Sequence, residues 1–252
     1  MTDRPREAEA FLTALQDLPP NALSTCNTWT VHHIGAHLAG NYEEALRHVE
    51  AYAQGSPLTS TRSFEEREPP FRELSGAALL KAVERYEERM RRAVDAVLAD
   101  DPDAELTWTG RPFKVGSFSS HMRNECAIHR WDLLGDDDTS LDLLADPSLL
   151  EHSVTAVGAG PLCARGLDID APEHRPLSAR VRTEGQPDLL IEVDGDTPRM
   201  SLTGAAGEPT VVADQAARLL MLWGRKPGPP VRLRAVGPPD DVNRLQRLLS
   251  GY

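Results

Sequence analysis

The stretch from Ser117 to Asp132 reads SFSSHMRNECAIHRWD, and its spacing decides what the rest of the chain is expected to do. Glu125 and His129 stand four residues apart. On a helix that interval puts both side chains on one face, one turn from each other. His121 precedes Glu125 by the same interval, so one face carries three polar groups among Phe118, Met122, Ile128 and Leu133. A carboxylate oxygen and an imidazole nitrogen set this way can converge on one cation. The same pair can also be a solvated contact worth roughly 0.2–0.5 kcal/mol. If the face is buried, its polar atoms need partners. Cys126 is turned about 100° away from Glu125 on a helix and is not counted as a ligand.

A second stretch changes the odds. Thr28–Tyr42 reads TWTVHHIGAHLAGNY. It predicts a helix starting at Thr28 or Thr30 and running to about Ala53, with Trp29, Ile34, Leu38, Tyr42, Ala45 and Val49 on the helical period. Gly35 and Ala36 leave room for a neighbouring helix. His37 sits between Ile34 and Leu38 on the apolar side, while His32 points outward. His33, one turn before His37, makes a rival ligand pair with it. No Glu follows His33, so this is not the HExxH arrangement. For His37 alone a hydrogen-bonded core histidine is the commoner outcome.

Composition excludes several classes. The 252 residues carry a net charge of −12, which argues against nucleic acid and anionic membrane as partners. No apolar run reaches the ~20 residues needed to cross a bilayer. The opening MTDRPREAEA has no apolar core and does not read as a secretory signal. Cys26, Cys126 and Cys163 are too few and too odd in number for a disulfide framework. Together these predict free thiols and a cytoplasmic location.

Along the chain, Pro5–Leu18 predicts a first helix, capped by Thr2 or Asp3 and stopped by Pro19 and Pro20. Gly55–Glu73 reads as a Ser, Pro and Glu-rich loop. Ser75 then caps a helix to Leu98 with Leu79, Val83, Tyr86, Met90, Val94 and Val97 on its stripe. Asp100–Val115 predicts a short hairpin with Trp108 as anchor. The opening stretch is the fourth long helix, ending near Gly135, and Leu141–Ala159 allows a fifth. Four such helices predict an antiparallel bundle with its site between facing helices. Gly160–Pro176 reads as a linker. Beyond it the period becomes two, at Leu177, Ala179 and Val181, then Leu189, Ile191 and Val193, then Met200 and Leu202, which predicts short antiparallel strands. Asp214 opens a helix with Trp223, Val231 to Ala235 makes a strand, and Pro239 starts a last helix closed by Gly251. The fold class is α+β, with a bundle over residues 1–160 and a small α+β domain over 161–252.

Two motifs in this order resemble one family. TWTVHHIGAHLAG is similar to the W-T-V-x-x-x-x-A-H-L-A opening of the second helix in the mycothiol-dependent maleylpyruvate isomerase family. NECAIHRWD resembles that family's E-x-x-x-H-R-x-D on the fourth helix. The resemblance implies a DinB-like metal-binding four-helix bundle followed by a sterol-carrier-like domain. It implies His37, Glu125 and His129 as metal ligands. Asp132 then orients a ligand, while His121 and His33 fall to the pocket or the surroundings of the ligands.

Two neutral imidazoles and one carboxylate suit Zn²⁺, and three protein ligands with one open position are the catalytic pattern. The resemblance implies mycothiol as the thiol cosubstrate, deprotonated by the ion's charge. Cis–trans isomerisation of a maleylpyruvate-like unsaturated dicarboxylate is one expected activity. The thiolate adds to a conjugated cis double bond, allows rotation and leaves. A mycothiol S-transferase acting on an electrophilic small molecule needs the same residues, and a non-catalytic metal-dependent binding module is the third reading. Arg123, Arg130 and Arg225 are candidates for a substrate carboxylate. Arg225, following Gly224 at the end of a helix, is the expected catalytic arginine, with Arg218 as fallback; as a plain helix-end cation it would contribute roughly 0.3–1 kcal/mol.

Overall fold

The structure, a computed structural model, describes residues 3–26, 28–57, 60–170, 176–227 and 232–250. Its contacts divide the chain into two compact units, Met1–Ser140 and Leu141–Tyr252. The first holds α1 (Arg6–Asp17), α2 (Val31–Ala53), α3 (Phe64–Arg67), α4 (Pro69–Arg72) and α5 (Gly76–Asp100), then the hairpin β1 (Glu105–Trp108) and β2 (Arg111–Lys114), then α6 (Ser117–Leu134). Ile34, Leu38, Val49, Leu79, Val83, Met90, Phe118, Met122 and Ile128 are buried, so the apolar stripes read from sequence do face one core.

Local chemistry sets the helix starts. Thr30 caps α2 by accepting from the His33 N–H, and the His33 ring accepts in return from the Thr30 N–H at 3.2 Å. Ser75 caps α5 through the Ala78 N–H. Pro5 precedes α1 without a side-chain cap, so Asp3 does not fill the role expected of it. Thr2, Val231 and Gly251 lie outside the described residues.

Tyr42 meets Cys126 and His37 meets His129, which makes α2 and α6 antiparallel. Here a wholly antiparallel bundle is corrected, because α2 and α5 run the same way. Near their starts, a Cβ on Gly35 would lie 3.0 Å from Leu79 Cδ2. Near their ends, Arg89 pairs with Glu50 and Tyr52 with Asp101. The 23-residue α2 is about 35 Å long, so the chain must travel back along it before α5 can begin. That returning segment, expected as plain loop, contains α3 and α4. Glu66 accepts from the Ser63 N–H at 2.7 Å to start α3, and Pro69 opens α4. Gly40 lets the segment lie against α2, where a Cβ would come 3.3 Å from Arg67 Cγ.

The second unit is helices and one five-stranded sheet. Its helical part is α7 (Asp138–Leu144), which spans the division, α8 (Pro147–His152), a π-helical turn at Ser153–Val157 and α9 (Ala159–Asp170). The single helix expected over Leu141–Ala159 is broken because Asp146 caps a new start and Pro147 cannot continue the old one. The expected linker is helical up to Asp170, with Leu162 and Cys163 buried. There Gly166 permits a close crossing, since a Cβ would fall 2.0 Å from the Leu248 carbonyl oxygen.

Next come β3 (Leu177–Arg182), β4 (Asp188–Asp194), β5 (Thr197–Thr203), β6 (Val211–Ala213), α10 (Gln215–Leu222), β7 (Leu233–Ala235) and α11 (Pro239–Leu248). The strand order is β5-β4-β3-β6-β7. All pairs are antiparallel except β3 with β6, which is parallel and corrects the all-antiparallel expectation. The α+β class stands, with helices in the first unit and the sheet in the second. Among the described residues no helix is long and apolar enough to cross a membrane.

Candidate metal centre

His37 on α2 and Glu125 and His129 on α6 come together inside the first unit, each 5% exposed. His37 Nδ1 donates to Glu68 Oε1 at 2.7 Å, and His129 Nδ1 donates to Asp132 Oδ2 at 2.9 Å. An ionised carboxylate only accepts. A neutral imidazole held in this way keeps its proton on Nδ1 and turns an unprotonated Nε2 inward. These nitrogens lie 3.4 Å and 3.5 Å from the same atom, Glu125 Oε2. Ligand atoms of the three residues all fall within 4.8 Å of one another, and among the described residues this is the group of His, Cys, Asp or Glu able to hold one ion. The donor set suits Zn²⁺. Carboxylates on the far nitrogens are the outer support that orients histidine ligands and raises their basicity.

The electrostatics agree. Burial works against a charge on Glu125, but the neighbouring imidazoles of His129, His37 and His121 outweigh it and hold the carboxyl well below its ordinary value. Glu68 behaves likewise: burial opposes its ionisation, and His37 and Arg72 more than compensate. Asp132 is fixed in turn, its carbonyl accepting from the Thr25 N–H at 2.8 Å.

The remaining expected residues lie as follows. His121 Nε2 stands 3.7 Å from Glu125 Oε1, bordering the group without joining it. Burial pulls its pKa down, against Glu125, with Arg67, Arg111 and His37 adding to the fall. His33 is engaged in the start of α2. Cys126 is buried with the Tyr42 hydroxyl 3.1 Å from its sulfur, and burial pushes its thiol up, as suits a core residue. Arg123 is tied to Glu7 at 2.8 Å and Arg130 to Asp137 at 2.6 Å, so both are engaged in ion pairs.

In the second unit, Gly224 has φ 75° and ends α10. Arg225 follows and donates to the Trp223 carbonyl at 2.8 Å. Arg218 is buried and donates to the Pro187 carbonyl at 2.6 Å.

Several residues of the site were not anticipated. Asn41 donates to Glu125 Oε2 at 3.0 Å and its Nδ2 is 3.0 Å from His37 Nε2. It lies one turn after His37, so the spacing that picked Glu125 and His129 could have found it. Glu68, Arg67 and Phe64 come from the returning segment, and nothing in a Ser, Pro and Glu-rich stretch marks them. The rings of Trp29 and Phe64 flank His37 at 5.2 Å and 5.1 Å. Phe64 is 48% exposed, which makes it an apolar rim beside the centre.

Residues 4–134 match the family described as the mycothiol maleylpyruvate isomerase N-terminal domain. Two crystal structures share the fold. One is of the mycothiol-dependent maleylpyruvate isomerase, at 18% identity, covering 87% of this chain and 85% of that one, with a TM-score of 0.57. The other is a histidine-to-alanine mutant of that enzyme, at 18% identity, the same coverages and a TM-score of 0.55. At such identities the likeness speaks for the fold. No curated protein matches the chain.

Proposed function

Because the chain belongs to the mycothiol maleylpyruvate isomerase N-terminal domain family, we propose that it is a cytoplasmic metal- and thiol-dependent enzyme whose reaction is the cis–trans isomerisation of a maleylpyruvate-like unsaturated dicarboxylate. One observation carries the metal part. Two imidazoles, each gripped on Nδ1 by a carboxylate, aim Nε2 at the same oxygen of a third carboxylate. A structural histidine needs one such partner; a ligand needs its far nitrogen held and its near nitrogen unprotonated.

In this reading His37, Glu125 and His129 hold one divalent ion, Zn²⁺ by the donor set. The ion supplies positive charge that favours the thiolate form of a thiol cosubstrate, for which the family points to mycothiol. Glu68 and Asp132 keep the imidazoles in the ligating tautomer. Trp29 and Phe64 shield His37 from water on two sides. Cys126 takes no part, its thiol being buried and its pKa raised. Arg225 is the residue we assign to a substrate carboxylate. The same centre would serve an S-transferase, so product identity separates the two reactions.

The test has two parts. Metal analysis of wild type, His37→Ala and His129→Ala should show one ion per chain in the first and loss in both variants. Full metal in either variant removes that residue from the ligands. Mycothiol with maleylpyruvate should then give the trans isomer with no net consumption of thiol. A stable thiol adduct as sole product would establish the transferase instead.

A further inference from the structure

Asn41 is a neutral side chain placed among the candidate ligands, only 8% exposed. Its orientation is decided by its other end, because Arg67 Nη2 donates to Asn41 Oδ1. The amide nitrogen therefore faces inward, 3.0 Å from Glu125 Oε2 and 3.0 Å from His37 Nε2. Arg67 is itself located by its neighbours. Its Nη1 donates to the Arg62 carbonyl at 3.2 Å, and its guanidinium lies 4.7 Å over the Phe64 ring. Arg62 is anchored to α2, donating to Glu44 Oε2 at 2.6 Å. A line of hydrogen bonds thus runs from α2, out through the returning segment and back into the centre at Asn41.

On this geometry, and on the functional reading above, we propose that Asn41, oriented by Arg67, is a positioning residue that holds Glu125 to ligation through a single oxygen. A free carboxylate can rotate and offer both oxygens to a cation. Here Oε2, 3.4 Å and 3.5 Å from the two imidazole Nε2 atoms, accepts from the Asn41 amide while Oε1 lies 3.7 Å from His121 Nε2, which leaves Oε2 a second lone pair for an ion. One-oxygen ligation with two imidazoles keeps further positions at a Zn²⁺ ion open to thiol. A neutral donor also leaves the net charge of the ligand set at one negative unit, whereas an aspartate in its place would double it and weaken the pull on a thiol proton.

The experiment measures Zn²⁺ affinity of the full chain by competition with a chromophoric chelator, with melting of the chelated protein as fold control. Asn41→Ala and Arg67→Gln should each weaken binding by about 10- to 100-fold, the usual effect of losing outer support at a metal site. Arg67→Gln gives a test of sign. Removing a nearby positive charge should, by relief of Coulomb repulsion alone, strengthen cation binding, whereas loss of the amide's orientation should weaken it. Unchanged or tighter binding in Arg67→Gln overturns the proposal, as does wild-type affinity in Asn41→Ala. Should Asn41→Ala fail to fold, Arg67→Gln decides, since it leaves Asn41 in place. Failure of the wild type itself to take up Zn²⁺ is a different result and overturns the functional reading.

Discussion

Glu68→Gln isolates the contribution of the carboxylate behind His37. The replacement keeps the side-chain volume at a fully buried position and removes the charge that accepts from His37 Nδ1 at 2.7 Å. A hydrogen bond to a charged group contributes about 1.5–3 kcal/mol. Since each 1.4 kcal/mol is a factor of about ten, the loss converts to about a 10- to 100-fold fall in metal affinity, the range also seen when such outer partners are removed. Glutamine can present an N–H to Nδ1, and that would move the ring proton to Nε2, the nitrogen an ion needs.

The cost to folding should be smaller than the cost to metal binding. The second bond of Glu68 goes to Arg72, whose side chain is 45% exposed, and exposed pairs contribute about 0–1 kcal/mol. The assay is chelator competition for affinity beside calorimetric melting of the chelated protein. Affinity equal to wild type, with the variant folded, would refute the claim that Glu68 sets the tautomer of His37.

Asp132→Asn should behave alike at His129, with lower Zn²⁺ affinity by chelator competition and near-normal melting; an unchanged affinity would count against the paired arrangement. At Glu44, burial opposes ionisation, but His48, Arg47 and Arg62 outweigh it and hold the carboxyl below its ordinary value of 4.5. A depressed folded pKa stabilises above the unfolded value and loses that contribution as pH falls through the folded one. Stability should thus decline below about pH 4.5, and Glu44→Gln should be less stable at neutral pH with a shallower acid decline; an equally steep decline in denaturant titrations would assign the acid sensitivity elsewhere. Cys126→Ala should retain full metal content and turnover, and a loss of either would give the thiol a role that its burial denies it. Arg225→Ala should lower turnover with metal content and melting intact; full turnover with a stability loss of roughly 0.3–1 kcal/mol would leave it as a helix cap.

The four long helices were legible because each carries an apolar stripe with the helical period, and the sheet because its buried residues alternate. What the residues did not reveal was direction. Periodicity finds a helix but not which way its neighbour runs, so the parallel packing of α2 and α5 had to come from contacts such as Arg89 with Glu50. Helix breaks were likewise hidden where apolar content continued, as in 141–159, although Asp146 before Pro147 was a readable restart. In the centre, the pair Glu125 and His129 was visible from its i,i+4 spacing, whereas His37 as a ligand and Asp132 beside it came from the family resemblance. Glu68 was not recoverable, because its place behind His37 depends on the path of a connection. For Arg123 and Arg130, proximity in sequence to a predicted site says nothing of the Glu7 or Asp137 with which each pairs.

The parallel pair and the missed glutamate have one cause. A chain that leaves α2 and must start α5 beside the beginning of α2 has to cross back over the face between them. The returning segment does so over Gly40, the residue that lets Arg67 and Glu68 approach. It brings one carboxylate to His37 and, through Arg67, orients the amide that reaches Glu125. The helices thus supply the three candidate ligands, and the connection supplies what fixes two of them. On that account a bulkier residue at 40 should loosen the centre without touching any ligand. Gly40→Val would press on the Arg67 stem and on its backbone oxygen, which a Cβ would approach to 3.5 Å. Metal affinity should fall in that variant with α2 still helical by circular dichroism. Wild-type affinity there would show that the centre does not depend on the segment's seat.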